Sequence, residues 1–592
     1  MKIKTLLLMQ YTLISLSLPL AAGCCGTRPE KNRASFREMD DPSRDTLSDW
    51  SNVTAGLHAS FVSLDGRYPK SRVPDIPQTN SIHLSGWKGE KVSAQLLIWT
   101  AEDLRRAKCK FGNFEAGDGR RLPPSSVRAR FVRYVMTDEF APGCGYRKPE
   151  DFAASLSADM LDDLEYFDLE AGTVRPVWLT FNIPADADAG NYRGKLKIRA
   201  GNRTSQELEI DLEVINRILP PPSEWQYHLD LWQHPSAVAR IHGLELWSDA
   251  HFEKMRPLMK MLADAGQKVI TATLNKDPWN NQCYDAYADM IVWTRNKDQS
   301  WSYDYTVFDK WVRFMTDLGI DRMINCYSLL TWNNQLHYND EAQGRQITVE
   351  PEARSEEYKE LWSHFLQDFT RHLRENGWLE KTNIAMDERS PDDMQAALSV
   401  LHDCAPELGI SLADNHKSYR QYPWIKDICV GAGNQVTKEE IAARRERGLI
   451  TTYYVCCSDK FPNTFTFSPP AEAVYAAWHA VACDFDGFLR WAYNSWVENP
   501  LTDSRFRTWP AGDTYIVYPE ARSSIRFERL TEGIQDAEKI RLLRRKYTEE
   551  NTPRSSAELH RLEEALRSFD TTDPPGDWTD RLNAAKKLLN MP

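Results

Sequence analysis

Short apolar segments alternate with helical patterns in the second half of the chain, and this alternation constrains the fold more than any other feature. Eight candidate strands occupy about 275 residues after the proline run at 220–222. Strand–helix alternation indicates a parallel sheet, and eight such steps predict a (β/α)8 TIM barrel. The candidate strands are 225–233, 268–274, 322–330, 382–388, 410–415, 427–433, 449–457 and 488–496, and the candidate helices are 249–265, 306–318, 355–376, 391–405, 436–447 and 471–483.

A doubly wound open sheet is the alternative for this region. Such sheets commonly carry a Gly-x-Gly-x-x-Gly loop that binds a dinucleotide. The region contains Gly431-Ala-Gly433, but Val436 stands where the third glycine belongs. The barrel is therefore the preferred interpretation.

The regions on either side of the barrel have different patterns. Before it, segments of partial period-two alternation separated by turn residues predict a β-sandwich. After Asn499, short strand-like pieces at 512–519 and 524–530 precede a charged amphipathic helix at 534–549, which indicates a small C-terminal module. The sandwich strands are expected at 91–101, 127–140, 173–184, 191–201 and 205–215. The expected units are a signal peptide (1–23), a tether (24–45), the sandwich (46–219), the barrel (220–499) and the C-terminal module (500–592).

The first residues have the pattern of an export signal. Lys2 and Lys4 precede a mostly apolar stretch too short and too broken to span a membrane convincingly, and Ala21-Ala22-Gly23 supplies small residues for cleavage. Cys24 follows as in a bacterial lipobox, although Ala21 stands where a leucine is usual. We expect an exported protein of the periplasm or cell surface, lipid-anchored through Cys24 and attached to the membrane in no other way.

Composition and motifs exclude several classes of protein. The 73 basic and 85 acidic residues give a net charge of −12 without a long basic run, which argues against a nucleic-acid partner. The 11 cysteines show no C-x-x-C spacing, which argues against a zinc ribbon. The chain also lacks the G-x-S-x-G, H-E-x-x-H and Walker motifs of hydrolases and nucleotide-binding proteins.

Asp387 and Glu388 are the best chemical candidates because they end the fourth barrel strand, at the face where barrels hold their active sites. The same pair would also suit a solvated acidic loop. Neighbours on a strand point to opposite sides, so they cannot readily face each other across a sugar as the usual catalytic pair does. At a strand end, where the backbone curls, the two carboxylates can lie on the same side of the substrate. One carboxyl would then protonate the leaving oxygen while the other orients a nucleophile carried by the substrate, such as a 2-acetamido group.

Two segments carry a family resemblance: the Asp387-Glu388 pair, and the run Arg490-Trp-Ala-Tyr-Asn-Ser-Trp496 followed by 511–519 and 524–530. They resemble glycoside hydrolase family 123, the bacterial exo-β-N-acetylgalactosaminidases, and the resemblance extends over nearly the whole chain. It implies retaining hydrolysis of terminal β-linked N-acetylgalactosamine through an oxazolinium intermediate. Asp387 would orient the acetamido group, and Glu388 would be the general acid and then the general base. Arg389 is a departure, since a proline is expected there.

The resemblance also suggests substrate-binding residues on the ends of the strands. Aromatic side chains would form the acetamido pocket and a stacking platform, and polar side chains would bind sugar hydroxyls. A role in barrel packing is the alternative for the aromatic residues. No metal or organic cofactor is called for by this chemistry. The aromatic candidates are Trp332, Tyr454, Trp491, Tyr493 and Trp496, with Trp232 and the loop residues Trp279, Trp293 and Trp301 beside them; the polar candidates are Asn275, Asp414, His416 and Asn494.

Two other functions remain open at this level. The same scaffold could act on another sugar, either β-linked N-acetylglucosamine or a sugar without an acetamido group. A surface protein that binds glycans without cleaving them would keep the aromatic residues. The intact Asp387-Glu388 pair argues against the second alternative.

Overall fold

The computed structural model describes residues 36–42, 48–201, 205–387, 389–414, 416–433 and 436–591. The predicted signal peptide, Cys24, most of the tether and Glu388 lie outside the described residues. None of the described helices is both long enough and apolar enough to cross a bilayer.

The N-terminal region folds into two sheets packed face to face, which confirms the predicted sandwich. One sheet has the strand order β1-β3-β9-β6-β7, and the other has β2-β11-β10-β4-β8 with β5 paired to β10. In β10, Tyr192, Gly194, Leu196 and Ile198 are buried while the residues that alternate with them are exposed or half-buried, as period-two alternation requires. The strands are β1 (His58–Val62), β2 (Ser81–Lys88), β3 (Lys91–Thr100), β4 (Leu104–Phe111), β5 (Glu115–Ala116), β6 (Val127–Thr137), β7 (Ser155–Asp162), β8 (Phe167–Leu169), β9 (Thr173–Asn182), β10 (Gly190–Arg199) and β11 (Ser205–Ile218).

Eight parallel strands form the predicted barrel, and the open-sheet alternative is wrong. Their order, β12-β23-β22-β21-β20-β19-β16-β13, follows the chain around the barrel. A bridge between Leu229 of β12 and Gln267, just before β13, joins the two ends of this order. The strands of this region are β12 (His228–Leu231), β13 (Val269–Thr273), β14 (Val292–Arg295), β15 (Trp301–Asp304), β16 (Met323–Tyr327), β17 (Leu336–Asp340), β18 (Arg345–Val349), β19 (Thr382–Asp387), β20 (Gly409–Asp414), β21 (Asp427–Gly431), β22 (Ile450–Tyr454) and β23 (Gly487–Arg490).

Helices cover the outside of the barrel at all six predicted positions. Helix α4 shows the reason, because its buried residues recur on one face while the opposite face is charged. The helix α1, between β12 and α2, was not predicted. The helices are α1 (Pro235–His242), α2 (Asp249–Ala263), α3 (Thr306–Asp317), α4 (Glu356–Glu375), α5 (Pro391–Cys404), α6 (Lys438–Glu446), α7 (Ala471–Ala482), α8 (Ile525–Glu550), α9 (Pro553–Leu566) and α10 (Trp578–Leu589).

Four of the strands form a small separate sheet in the order β15-β14-β17-β18. Its hairpin β14–β15 carries two of the loop tryptophans and packs on α4. Trp293 stacks on Phe365 with ring centroids 4.4 Å apart, and Trp301 lies edge-on to Tyr338. These two tryptophans are therefore packing residues of the small sheet.

The C-terminal region is helical, and the strand-like pieces predicted in it are wrong. Residues 512–519 make only single bridges, such as that between Asn494 and Tyr515. Residues 525–530 begin α8, whose first turn is capped by Ser524 through a bond from the Phe527 N–H, 2.9 Å long. All side chains of α8 from Ile525 to Thr531 are buried, so this turn lacks the amphipathic period that marks a surface helix. The domain boundaries stay predictions.

Candidate active site

A pocket opens at the carboxyl ends of the barrel strands and is lined partly by residues at those ends. Asp387 is the last residue of β19, Tyr454 ends β22, and Trp491 directly follows β23. Trp232 follows β12 in the same way. This is the end at which barrel enzymes hold their catalytic residues.

Asp387 is held in the pocket by a tryptophan. The indole Nε1 of Trp279 donates a hydrogen bond of 2.9 Å to Asp387 Oδ2. Trp279 is only 1% exposed, and its ring lies 4.7 Å from that of Trp232 and 4.8 Å from that of Tyr327. These three rings, here called the aromatic floor, place one oxygen of Asp387 against a buried donor.

A buried ion pair fixes another part of the pocket wall, at Asp513. Asp513 accepts a bond of 3.1 Å from Arg490 Nη2 and one of 3.2 Å from Trp491 Nε1. Both members of the ion pair are at most 1% exposed. Burial raises the pKa of Asp513, which Arg490 partly offsets, and burial lowers the pKa of Arg490 to about 10. Trp509 packs edge-on against Trp491, so the orientation of Trp491 is set from two sides.

Sulfur atoms form the third part of the wall. A disulfide joins Cys144, in the loop after β6, to Cys457, in the loop after β22. Cys456 is a free cysteine that lines the same pocket. Trp509 closes this side through a bond of 3.0 Å from its Nε1 to the Gln282 carbonyl. The N-terminal region thus contributes directly to a pocket formed mostly by the barrel.

The structure brings four of the predicted site residues together. Asp387, Trp332, Tyr454 and Trp491 all line the pocket. Trp332 lies in the loop after β16 and is 36% exposed, which gives the pocket an accessible aromatic surface. Its backbone N–H donates to the Pro278 carbonyl at 2.9 Å and thereby joins two loops of the mouth.

Three of the predicted residues follow β23 but pack behind the pocket. The strand ends at Arg490, earlier than the predicted 488–496, and the chain then turns into the protein interior. The Tyr493 hydroxyl donates to the Leu258 carbonyl at 2.9 Å, and the Trp496 indole donates to the Val517 carbonyl at 2.8 Å. The side-chain amide of Asn494 accepts a hydrogen bond from the His234 backbone N–H and donates one to the His234 carbonyl, each 3.0 Å long.

The remaining polar candidates also lie outside the pocket lining. Asn275 uses its side chain to bond the backbone N–H and C=O of His337, each at 2.9 Å. Asp414 is 2% exposed and accepts the backbone N–H groups of His416 and Ser418 at 2.8 and 2.5 Å. His416 itself is exposed and lies in a shallow groove beside Met394. Asn275 and Asp414 thus hold loops in place.

Glu388 lies outside the described residues, but Arg389 directly after it is described. Its guanidinium donates one hydrogen bond to the Thr331 carbonyl at 3.0 Å and one to Asn334 Oδ1 at 2.9 Å. These bonds tie the segment after β19 to the loop after β16. The residue found in place of the expected proline therefore has a structural role of its own.

Several pocket residues were not predicted as substrate-binding residues. Trp232 and Trp279 were expected near the mouth, and they form its floor. Asp513 lies in the segment 511–519 that carries the resemblance, but neither it nor Trp509 was named as a site residue. Nothing in the spacing of Cys144 and Cys457, which are 313 residues apart, indicated their disulfide.

Comparisons with known proteins agree with the site. The model of the glycoside hydrolase 123 catalytic domain matches residues 232–543, and that of the family's N-terminal domain matches 61–200. The structure of a family 123 glycoside hydrolase from Clostridium perfringens, described for glycolipid glycan hydrolysis, superposes with a TM-score of 0.81 and 27% identity, covering 90% of this chain and 98% of that one. A Bacteroides ovatus family 5 xyloglucanase reaches a TM-score of 0.25 at 10% identity, covering 77% and 98%, which is too low to carry an argument. No curated protein matches the chain significantly.

The catalytic-domain model spans more than half of the 592 residues and includes Asp387, Trp491 and Asp513. The sandwich, the barrel and the predicted family are all confirmed. The chain belongs to glycoside hydrolase family 123.

Proposed function

We propose that this protein is a retaining exo-glycosidase that releases terminal β-linked N-acetylgalactosamine from glycans by substrate-assisted catalysis. The observation that carries the proposal is Asp387, which ends a barrel strand inside an aromatic pocket and is followed in the sequence by a second carboxylate, Glu388. The relative from Clostridium perfringens hydrolyses glycolipid glycans, which supports a glycan substrate here.

In the proposed first step, Asp387 accepts the N–H of the 2-acetamido group. The acetamido oxygen attacks the anomeric carbon while Glu388 donates its proton to the glycosidic oxygen, which leaves with the rest of the glycan. The sugar is then held as an oxazolinium ion. Trp279 holds Asp387 Oδ2, and the second oxygen of Asp387 is the one assigned to the acetamido N–H.

In the second step, Glu388 removes a proton from water, and the hydroxide oxygen attacks the anomeric carbon. The ring of the oxazolinium opens and restores the acetamido group, so the configuration at the anomeric carbon is retained. Tyr454 and Trp491 offer flat surfaces for the acetamido methyl and the sugar ring.

A panel of aryl β-glycosides tests the proposal. We expect turnover of aryl β-N-acetylgalactosaminide, with little turnover of its C4 epimer, aryl β-N-acetylglucosaminide, or of aryl β-galactoside. Glu388→Gln and Asp387→Asn should each lower kcat/KM by about 10²- to 10⁴-fold, the range for a lost general acid or base. Asp392→Asn, an exposed carboxylate in the first turn of α5, is the matched control.

The mechanism has two further readouts. The first product seen by proton NMR should be the β-anomer, and a thiazoline analogue of the oxazolinium should inhibit competitively. Equal turnover of the galactoside without an acetamido group would refute substrate assistance. Saturable glycan binding without turnover of any substrate would favour a non-catalytic glycan-binding protein.

We also propose that the protein is exported and anchored through Cys24. Mass spectrometry of the mature N-terminus tests this, because cleavage before Cys24 with added acyl chains gives a defined mass. An unmodified N-terminus elsewhere would contradict the anchor.

A further inference from the structure

Three cysteine sulfurs meet in the wall of the pocket. The Sγ atoms of Cys144, Cys456 and Cys457 all lie within 4.8 Å of one another. Cys144 and Cys457 form the disulfide, whereas Cys456 is free. The disulfide joins the part of the chain matched by the N-terminal family model to the part matched by the catalytic model. A free thiol thus lies next to a disulfide that links two domains.

The surroundings of Cys456 keep it in the thiol form at neutral pH. Burial, with a smaller contribution from the carboxylate of Asp459, raises the pKa of its thiol to about 11, although the Ser458 hydroxyl, 2.9 Å from Sγ, opposes this shift. The other acidic groups of the pocket lining are Asp387 and Asp513. The reactive thiolate is therefore scarce at pH 7 and becomes about tenfold more abundant with each pH unit up to the pKa.

We propose that these three cysteines form a thiol–disulfide exchange site in which Cys144 changes its partner between Cys457 and Cys456. The Cys456 thiolate attacks Cys144 Sγ, a new bond forms between these two sulfurs, and the bond from Cys144 to Cys457 breaks. The electron pair leaves on Cys457 Sγ, which takes up a proton to replace the one that Cys456 released to water. The count of thiols and disulfides is unchanged, so no external oxidant or reductant is needed.

Attack on Cys144 is favoured over attack on Cys457 by backbone geometry. The present disulfide spans 5.6 Å between its Cα atoms, within the usual range. Cys456 and Cys457 are neighbours, and consecutive Cα atoms lie only about 3.8 Å apart across a trans peptide. A bond between the two neighbours would be strained, since disulfides usually span about 4.4–6.8 Å. Cys144 is therefore the partner with which either Cys456 or Cys457 can form a disulfide.

The exchange would move the wall of the pocket. Cys144 lies in a loop held by the bond from Arg147 to Asp138, 2.9 Å long, and Asp138 in turn accepts the Ala511 N–H at 3.0 Å. That loop therefore rests on the segment that carries Trp509 and Asp513. When the disulfide moves from Cys457 to Cys456, the loop shifts against this segment. The free thiol is then the buried Cys457 instead of the half-buried Cys456.

Differential alkylation of the full chain tests the exchange without any assay of activity. Protein with its native disulfide is incubated without added thiol at about pH 6 and about pH 9, then acidified, denatured and blocked with N-ethylmaleimide. Reduction and iodoacetamide then label the cysteines that were paired, and fragment ions of the peptide 448–460 assign each label to Cys456 or Cys457. We expect Cys456 to be free at the lower pH and a fraction of free Cys457 to appear at the higher pH.

Three variants make the result decisive. Cys456→Ser should keep only the native pairing at both pH values, and Cys457→Ser should form the disulfide from Cys144 to Cys456. Cys483→Ser, which removes a half-buried free cysteine at the end of α7, is the matched control and should exchange like wild type. Free Cys456 at both pH values, or failure of Cys144 to pair in Cys457→Ser, would overturn the proposal.

A second readout rests on the proposed function. With aryl β-N-acetylgalactosaminide, Cys457→Ser should differ from Cys456→Ser in KM by several-fold, while Cys483→Ser matches wild type. If no glycosidase activity is found at all, the alkylation experiment still decides whether exchange occurs. Equal KM values in the two locked variants would overturn the link between the disulfide and the pocket.

Discussion

Trp279 donates its indole N–H to Asp387 Oδ2 at 2.9 Å from within the aromatic floor. The donor comes from the segment after β13 and the acceptor from the end of β19, so two separate parts of the barrel mouth set the orientation of one carboxylate. Hydrogen bonds to charged groups in buried surroundings are stronger than those between neutral groups. The pair therefore positions Asp387 before any substrate enters.

Trp279→Phe removes this donor and keeps most of the ring packing. A hydrogen bond to a charged group contributes about 1.5–3 kcal/mol, so we expect kcat to fall roughly 10- to 100-fold on aryl β-N-acetylgalactosaminide with a smaller change in KM. Steady-state kinetics measure both constants. Trp293→Phe is the control, because its indole N–H bonds the Leu274 carbonyl at 3.1 Å outside the pocket lining. Equal losses in both variants would mean that Trp279 acts only through packing.

Trp332→Ala removes the most exposed aromatic surface of the pocket lining. Stacking contributes on the order of 1 kcal/mol, so KM should rise about 3- to 10-fold while kcat changes little. The comparison is made between an aryl glycoside and a longer glycan, since a residue on the rim is expected to matter more for the longer substrate. An unchanged KM for both substrates would remove Trp332 from the binding site.

Asp513→Asn breaks the buried pair with Arg490. Removing one charge of a buried pair leaves the other unpaired and costs about 3–5 kcal/mol of folding free energy. We expect a clear loss of stability in urea denaturation. Asp392→Asn serves again as an exposed control, and a variant as stable as wild type would show that Arg490 does not need its partner.

Glu472, in the first turn of α7, makes stability depend on pH between about 4.5 and about 8. Burial raises the pKa of its carboxyl from 4.5 to about 8, although the Asn463 N–H, 2.8 Å from Oε2, opposes this. The folded chain therefore binds more protons than the unfolded chain between these two pKa values. Its contribution to stability is full below about pH 4.5 and is lost as the pH rises to about 8.

Glu472→Gln copies the protonated form and should remove this dependence. The variant should match wild type near pH 4 and be more stable than wild type near pH 9, by about 4–5 kcal/mol, because the pKa of the carboxyl is raised from 4.5 to about 8. Urea denaturation at the two pH values measures the difference. Glu253→Gln, exposed on α2, is the control. An equal response of wild type and Glu472→Gln to pH would contradict a raised pKa at Glu472.

The barrel was predictable because each of its elements carries a strong local pattern. Strands such as β13 and β16 are buried along their whole length, and the amphipathic helices between them repeat on a 3.6-residue period. Asp387 was predictable for the same reason, since it stands at the end of such a strand. The start of helix α8 was predicted as a strand-like piece, because its side chains are buried on all sides and therefore lack a helical period of hydrophobicity.

The rest of the pocket depends on contacts between distant segments. Trp491 and Trp496 belong to one aromatic run, yet one lines the pocket and the other packs behind it, because β23 ends at Arg490. No local pattern marks that end. The disulfide from Cys144 and the bond from Trp279 likewise join segments that only the complete fold brings together.

Helix α8 determines when the buried contacts of the sandwich can be completed during folding. Asp159 of the sandwich is fully buried against Arg526 of α8, 367 residues later in the chain, at 2.9 Å, and Glu90 is buried against Lys539. At about 5–20 residues per second, a ribosome needs roughly 20–70 s to make the chain between Asp159 and Arg526. The buried surface of the sandwich is therefore complete only when α8 has packed against it.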